Sequence, residues 1–272
     1  MQIENKADFG NACAAFDEVE ITELREIAKS YREASGLIIK LSNLAGGQID
    51  KMISKVPDGW HAGIAQATDL ALRTSYAAAS TTHPDESEEG TLNRVLAYCS
   101  GERWHKLASS LSGAVGGAGG LTTLAADLAA TTTLVLRSIQ QIAAGYGENI
   151  DDEAVRLECI AVFGFGGPLT EDDEVETGLF GVRMALRGKS LETLLRAIVP
   201  RLLPNIGSKA ISQAVPLLGA LAGATINPVF TDYYQKMAHV HFRLRRLERG
   251  HDPEQVKACF ERVVTQMKAG KR

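Results

Sequence analysis

Residues 111–139 read LSGAVGGAGGLTTLAADLAATTTLVLRSI, and this stretch decides the fold class. It is almost wholly small and apolar, interrupted by one Asp and one Arg, Asp127 and Arg137. At roughly 100° per residue on an α-helix, Gly113, Gly116, Gly117 and Gly120 share one narrow stripe, which Asp127 and Thr131 continue. A glycine stripe admits a second backbone at close range. An Asp on the same stripe then needs a partner, because a buried, unpaired carboxylate is costly. Thr123 and Thr131 lie one turn away on either side, whereas Arg137 is about 15 Å along the axis and out of reach. Arg156 or the Asn227 amide could answer from another helix. The stretch is expected to end at Gly145–Gly147, glycine being the usual C-terminal stop.

Outward from it, helical periodicity recurs and strand alternation is scarce. Ile21, Leu24, Ile27, Ala28 and Tyr31 form one apolar face. Leu37, Ile38, Leu41, Leu44, Ile49, Met52, Ile53 and Val56 form another that stops before Pro57. A third helix is expected over Trp60–Ala79, followed by a polar, acidic loop from Ser80 to Gly90 and a helix over Thr91–His105. Beyond the glycine segment, Asp151 or Asp152 caps a short helix that closes at the turn Gly164–Pro168. Glu171–Glu174 opens the helix carrying Val182–Leu186, and Leu191–Leu203 is apolar and basic up to Pro204. Asn227-Pro228 reads as an N-cap with proline at the first helical position. Asp252-Pro253-Glu254-Gln255 repeats that logic before a last short helix. No internal repeat is evident, and the expected fold is all-α: a multi-helix bundle around two central Gly/Ala-rich helices.

Composition narrows the function. The 272 residues hold 29 basic and 33 acidic side chains, a net charge of −4, which argues against a nucleic-acid partner. Cys13, Cys99, Cys159 and Cys259 are widely spaced with no C-x-x-C pair, so buried or incidental thiols in a reducing compartment are expected. The N-terminal residues lack a secretory pattern, giving a cytoplasmic expectation. Leu107–Ala126 and Ala210–Thr231 carry no charge and approach the roughly 20 residues of a membrane span. Their Gly, Ala, Ser and Thr content keeps hydropathy low, so the expectation is a pair of central buried helices, with full spanning and shallow or conditional insertion as the alternatives.

Catalytic signatures are missing. GAVGGAGGLTT lacks the lysine and preceding strand of a phosphate loop, and no serine sits in G-x-S-x-G. His239 and His241 point to different helix faces, so neither a metal nor a cofactor is expected. Lys236, Arg243, Arg245, Arg246 and Arg249 make a basic segment on a helix with an aromatic and aliphatic face. It reads either as a solvated face or as a stripe for a membrane surface.

Three blocks together resemble the EcsC family: LSGAVGGAGGLTTLAADLAATTTLVLRSIQQIAAGYGENI from Leu111, RLECIAVFGFGG from Arg156, and IGSKAISQAVPLLGALAGATIN from Ile206. The resemblance implies one α-helical domain over 1–272, with N-terminal helices in 1–90, the family core in 91–249 and a C-terminal helix in 250–272. It marks Asp127, Thr131, Thr132, Arg137, Glu158 and Asn227 as ligand-binding residues or a buried polar network. The functional expectation is a non-enzymatic protein, peripheral to the inner face of the cytoplasmic membrane. Its partner would be lipid, the membrane surface or a membrane protein, with a link to transport or secretion. The alternative is an enzyme acting on a lipid or amphiphile through Asp127 and Arg137.

Overall fold

A computed structural model describes residues 11–44, 66, 68–76, 124–165, 178–199 and 216–269, of which 35, 37–44, 124–130, 178, 216–227 and 268–269 are described by their backbone alone. The described residues are helical, without strands, which establishes an all-α fold. The glycine-rich residues 111–123, the acidic loop and the Thr91–His105 helix lie outside them.

Helix α1 (Glu18–Leu44) starts where Asp17 and Glu20 satisfy each other's backbone: Glu20 N–H donates to Asp17 Oδ1 at 2.8 Å and Asp17 N–H to Glu20 Oε2 at 2.9 Å. That reciprocal pairing supplies acceptors for N–H groups a helix start leaves open. Its Ile21, Leu24, Ile27, Ala28 and Tyr31 face is buried. The first two apolar faces, read separately from the sequence, belong up to Leu44 to this one helix. Helix α2 (68–76) lies within the expected Trp60–Ala79 helix. Helix α3 (Leu124–Gly145) stops at glycine as expected. Gly147 takes φ +79°, its N–H donates to Ala144 O, and Glu148 N–H donates to Ala143 O, the double bond of a left-handed cap.

Asp152 caps helix α4 (Glu153–Ala161), accepting from Ala154 N–H at 2.9 Å. A 3-10 turn (Val162–Phe165) then leads toward α5 (Gly178–Leu186) and α6 (191–199). Gly164 is there for space: a Cβ would stand 2.4 Å from Leu186 Cδ1 and 3.1 Å from Ile198 Cγ1. Helix α7 runs unbroken from Pro216 to Leu247 with Pro228 inside it, which corrects the helix start expected at Asn227-Pro228. Pro216 takes the first position instead. An internal proline costs about 3 kcal/mol. Breaking the helix at Asn227 would instead strip backbone partners from a charge-free segment that offers few others. Helix α8 (Pro253–Ala269) begins as read, Asp252 Oδ1 accepting from Glu254 and Gln255 N–H.

Side-chain pairings fix the helix directions. Gln235 donates to Ser138 and Arg245 to Glu148, both across 97 residues of sequence. A constant offset is the mark of parallel helices, so α3 and α7 point the same way. Glu23, near the start of α1, pairs with Arg243 and Arg246 at the end of α7, and these helices share the most extensive contact among the described elements. They are therefore antiparallel. Leu24, Ile27, Leu136, Ile139, Ile160, Phe180, Leu194, Ile198 and Phe242 fill one continuous core between the elements.

One cysteine expectation is overturned. Cys13, just before α1, and Cys259 on α8 form a disulfide, their Cα atoms 4.8 Å apart across 246 residues. Spacing along the chain conceals this, because α1 and α8 lie side by side and bring its two ends together. Cys159 is a free, buried thiol, as expected.

Candidate functional site

Glu158 sits in an apolar run, Leu157-Glu158-Cys159-Ile160, and His241 in another, Val240-His241-Phe242. Helix periodicity turns both inward, so each must be paired where it is buried. The structure brings them together: His241 Nε2 stands 3.1 Å from Glu158 Oε2. From α5, Arg183 Nε donates to His241 Nδ1 at 3.1 Å, and its NH1 to Glu248 Oε1 at 2.8 Å. Arg187, one turn further along, reaches the other Glu248 oxygen at 3.6 Å. On α7, Arg245 lies one turn beyond His241. Its Nε donates to Glu148 at 3.0 Å and its NH1 stands 3.5 Å from Glu158. Arg249 also donates to Glu148. The result is a chain of alternating charge joining α4, α5, α7 and the turn after α3.

The centre of this chain is buried, with Arg187 and Arg249 at its exposed margins. The Arg183 and Glu248 side chains are 6% and 5% exposed. Burial pulls the Arg183 guanidinium below its ordinary value, opposed chiefly by Glu248. Burial alone would raise Glu158, yet His241, Arg245 and Arg183 outweigh it and hold the carboxylate below its ordinary value. Burial lowers His241 in turn, against Glu158 and with help from Arg183, which leaves the imidazole neutral at pH 7. Since a guanidinium can only donate, His241 Nδ1 is an acceptor and the ring proton sits on Nε2, toward Glu158. A general base needs a free ring nitrogen facing a substrate. Here one nitrogen is capped by Arg183 and the other is held against Glu158. Burial raises the Cys159 thiol well above its ordinary value, so it is a core group and not a nucleophile.

Beside the cluster a cleft of about 410 Å³ opens between the first turns of α4 and the end of α5, with Leu157, Leu186 and Lys189 on its walls and Glu158 and Arg245 on its lining. A second cation group caps the far edge of the same end. Arg243 grips both Glu23 oxygens at 2.7 and 2.8 Å, and Arg246 shares one of them at 2.7 Å. Hydrogen bonds from Arg243 are the main reason Glu23 titrates below its ordinary value. His251 Nε2 stands 2.7 Å from Glu20.

The sequence-derived candidates divide clearly. Of the six positions marked by resemblance, Glu158 enters this cluster. Thr131, Thr132 and Arg137 are half-buried on α3. Asp127 on α3 and Asn227 on α7 are placed by backbone alone, so the catalytic alternative through Asp127 rests on a side chain outside the described set. Arg156, once open as its partner, donates to Asp151 O and lies over the Tyr76 ring. In the basic segment, Lys236 pairs with Asp232, Arg243 and Arg246 with Glu23, and Arg245 and Arg249 with Glu148. Each cation thus contacts a carboxylate of the fold, Glu23 and Glu148 each serving two, while the Arg246 and Arg249 side chains remain 48% exposed. Sequence reading missed Glu23, Glu148, Arg183, Arg187 and Glu248. For Arg183 the signal was present, a charge within GLFGVRMAL, the most apolar short helix after the glycine segments.

Among the described residues no group of three His, Cys, Asp or Glu could hold a metal ion, and no helix is long and apolar enough to cross a membrane. The family model for the EcsC protein family matches residues 20–247. No curated protein and no solved structure matches the chain. The chain belongs to the EcsC protein family.

Proposed function

We propose that this EcsC-family chain is a non-enzymatic protein, peripheral to the inner face of the cytoplasmic membrane, which holds lipid or a membrane protein through one end of its bundle. The observation that carries this reading is the split of charge along the bundle axis. With α3 and α7 parallel and α1 antiparallel to both, the C-terminal end of α1 lies with the N-terminal ends of α3 and α7. Residues 37–44, 124–134 and 216–230 of these helices contain two charged side chains between them, Lys40 and Asp127. At the opposite end sit the clusters around Glu23, Glu148, Glu158 and Glu248, in which these four carboxylates are shared among six arginines.

This division suits a protein that rests on a bilayer. A charge-poor end gains from burying apolar area at the headgroup boundary. Its small residues keep hydropathy too low for a stable span. Since the arginines of α7 are matched within the fold, attraction relies on apolar burial more than on anionic headgroups. The burial of Glu158, His241 and Arg183 against one another, with Arg183 donating to His241 Nδ1, supports an architectural role for that cluster in place of a catalytic one.

Flotation with vesicles tests the proposal. The full chain is expected to float with phosphatidylcholine vesicles and with phosphatidylglycerol-containing vesicles, and to remain bound at high salt. Failure to float with either, together with no lipid in native mass spectra, would overturn it. Flotation confined to anionic vesicles and abolished by salt would move the contact to the cationic end and overturn the assignment of surfaces.

A further inference from the structure

The family-matched region covers residues 20–247, and the disulfide lies wholly outside it, with Cys13 on one flank and Cys259 on the other. We infer that this bond is a redox latch, an addition to the family core that fastens the segment 11–17 onto α8 and lets go when reduced. Segment 11–17 is a short 3-10 turn and bend whose backbone hydrogen bonds within 11–16 stay inside it, Ala14 to Asn11 and Phe16 to Cys13. It docks by two side chains. Cys13 is fully buried against α8, and Phe16, 1% exposed, packs on the His251 ring with centroids 4.4 Å apart. Of its other residues, Asn11, Ala14, Ala15 and Asp17 face outward and Ala12 is half-buried. A segment held by two plugs, one of them a covalent bond, depends heavily on that bond.

Helix α8 has further ties to the core. Phe260 meets Tyr31 and Phe180, and Arg32 donates to Met267 O. Loss of the bond therefore releases the segment and leaves α8 seated. Both sulfur atoms belong to fully buried residues, so redox partners reach them only when the segment lifts. With a hydroperoxide as oxidant, one thiolate attacks the O–O bond, forming a sulfenic acid and releasing the reduced oxygen as water or alcohol. The second sulfur then displaces the hydroxyl as water to close the disulfide. A dithiol reductant reverses this: its thiolate attacks one sulfur and forms a mixed disulfide. Its second thiol then closes its own disulfide, returning both cysteines as thiols. Cys159 is buried on α4, at the Glu158 cluster, and takes no part.

Thiol counting and proteolysis on the full chain test the latch. Denatured without reductant after peroxide treatment, the protein should take two maleimide-polyethylene glycol adducts, on Cys99 and Cys159, and four after reduction. In the native state, reduction with a dithiol should speed cleavage within residues 11–17 on the order of tenfold or more, the scale of a lost disulfide constraint. The Cys13→Ser/Cys259→Ser variant should be cut at the reduced rate under both conditions. Four adducts without reduction would show that the bond does not form. Equal cleavage rates for oxidised and reduced wild-type protein would show a bond that latches nothing. Either result overturns the inference, and both use wild-type protein, so poor folding of the variant leaves the test intact.

Discussion

The two ends of the bundle are built on opposite rules. At one end, α7 contributes His241, Arg243, Arg245 and Arg246 within six residues, and every one meets a partner from another element. At the other end the same helix runs from Pro216 to Phe230 without a charge. The first end is specified by charge pairing, in which Glu23, Glu148 and Glu248 each hold two arginines. The second offers no charge on α7 for such pairing. The difference teaches that the basic segment cannot be read by its own charge. Its carboxylates come from α1, α4, the turn after α3 and Asp232 of α7 itself, and they tie a cationic stripe into the fold as a charged seam.

Removing an acid from the seam breaks this comparison most strongly. Glu248→Ala leaves the buried Arg183 uncompensated, and a loss of about 3–5 kcal/mol is expected from urea unfolding. Glu23→Ala strands Arg243 and Arg246 in a half-buried setting and should cost roughly 1.5–3 kcal/mol, the scale of a hydrogen bond to a charged group. Gly164→Ala tests how rigid the seam's floor is. The new methyl group must push back Leu186 and Ile198, an overpacking cost of about 1–3 kcal/mol.

Acid probes the charged end through His241, Glu158 and Glu23, whose titration the fold shifts. His241 titrates below its ordinary 6.5 in the folded state, so the unfolded chain binds its proton first and stability falls as pH drops below about 6.5. Glu23 and Glu158 are also depressed, from 4.5. They stabilise the fold above that value and lose the contribution as pH falls further. The urea midpoint should therefore decline in two stages, and His241→Gln should remove the upper one. The smallest effect is expected for Arg73→Ala. Its partners Asp69 and Glu192 are exposed and such pairs contribute little, so the midpoint should not move measurably.

Much of the architecture was legible because it is local. The glycine stop of α3, the Asp152 and Asp252 caps and the apolar face from Ile21 to Tyr31 are each written within a few residues. Pro228 misled because Asn-Pro is the same signal at a helix start and inside a helix that continues for other reasons. The site was legible only in part. Glu158 stood out through the family blocks, and Arg183 and His241 are charges or polar groups inside apolar runs. Their partners, Glu248 and Glu148, sit in polar turns and look ordinary until the helices are assembled. The disulfide was hidden for the same reason: the pairing joins residues with nothing between them in sequence that announces it.

The parallel course of α3 and α7 also bears on how the chain folds. Two parallel neighbours cannot close as a hairpin, so the chain must travel back along the bundle before Ser138 meets Gln235 and Glu148 meets Arg245, each across 97 residues. Loop-closure entropy is spent before these contacts return anything. Local pieces such as α4 with the 3-10 turn that follows it are free to form early, while the charged seam can assemble only once α7 arrives. Its ion pairs thus act as a late checkpoint that accepts a single alignment of α7 against α3.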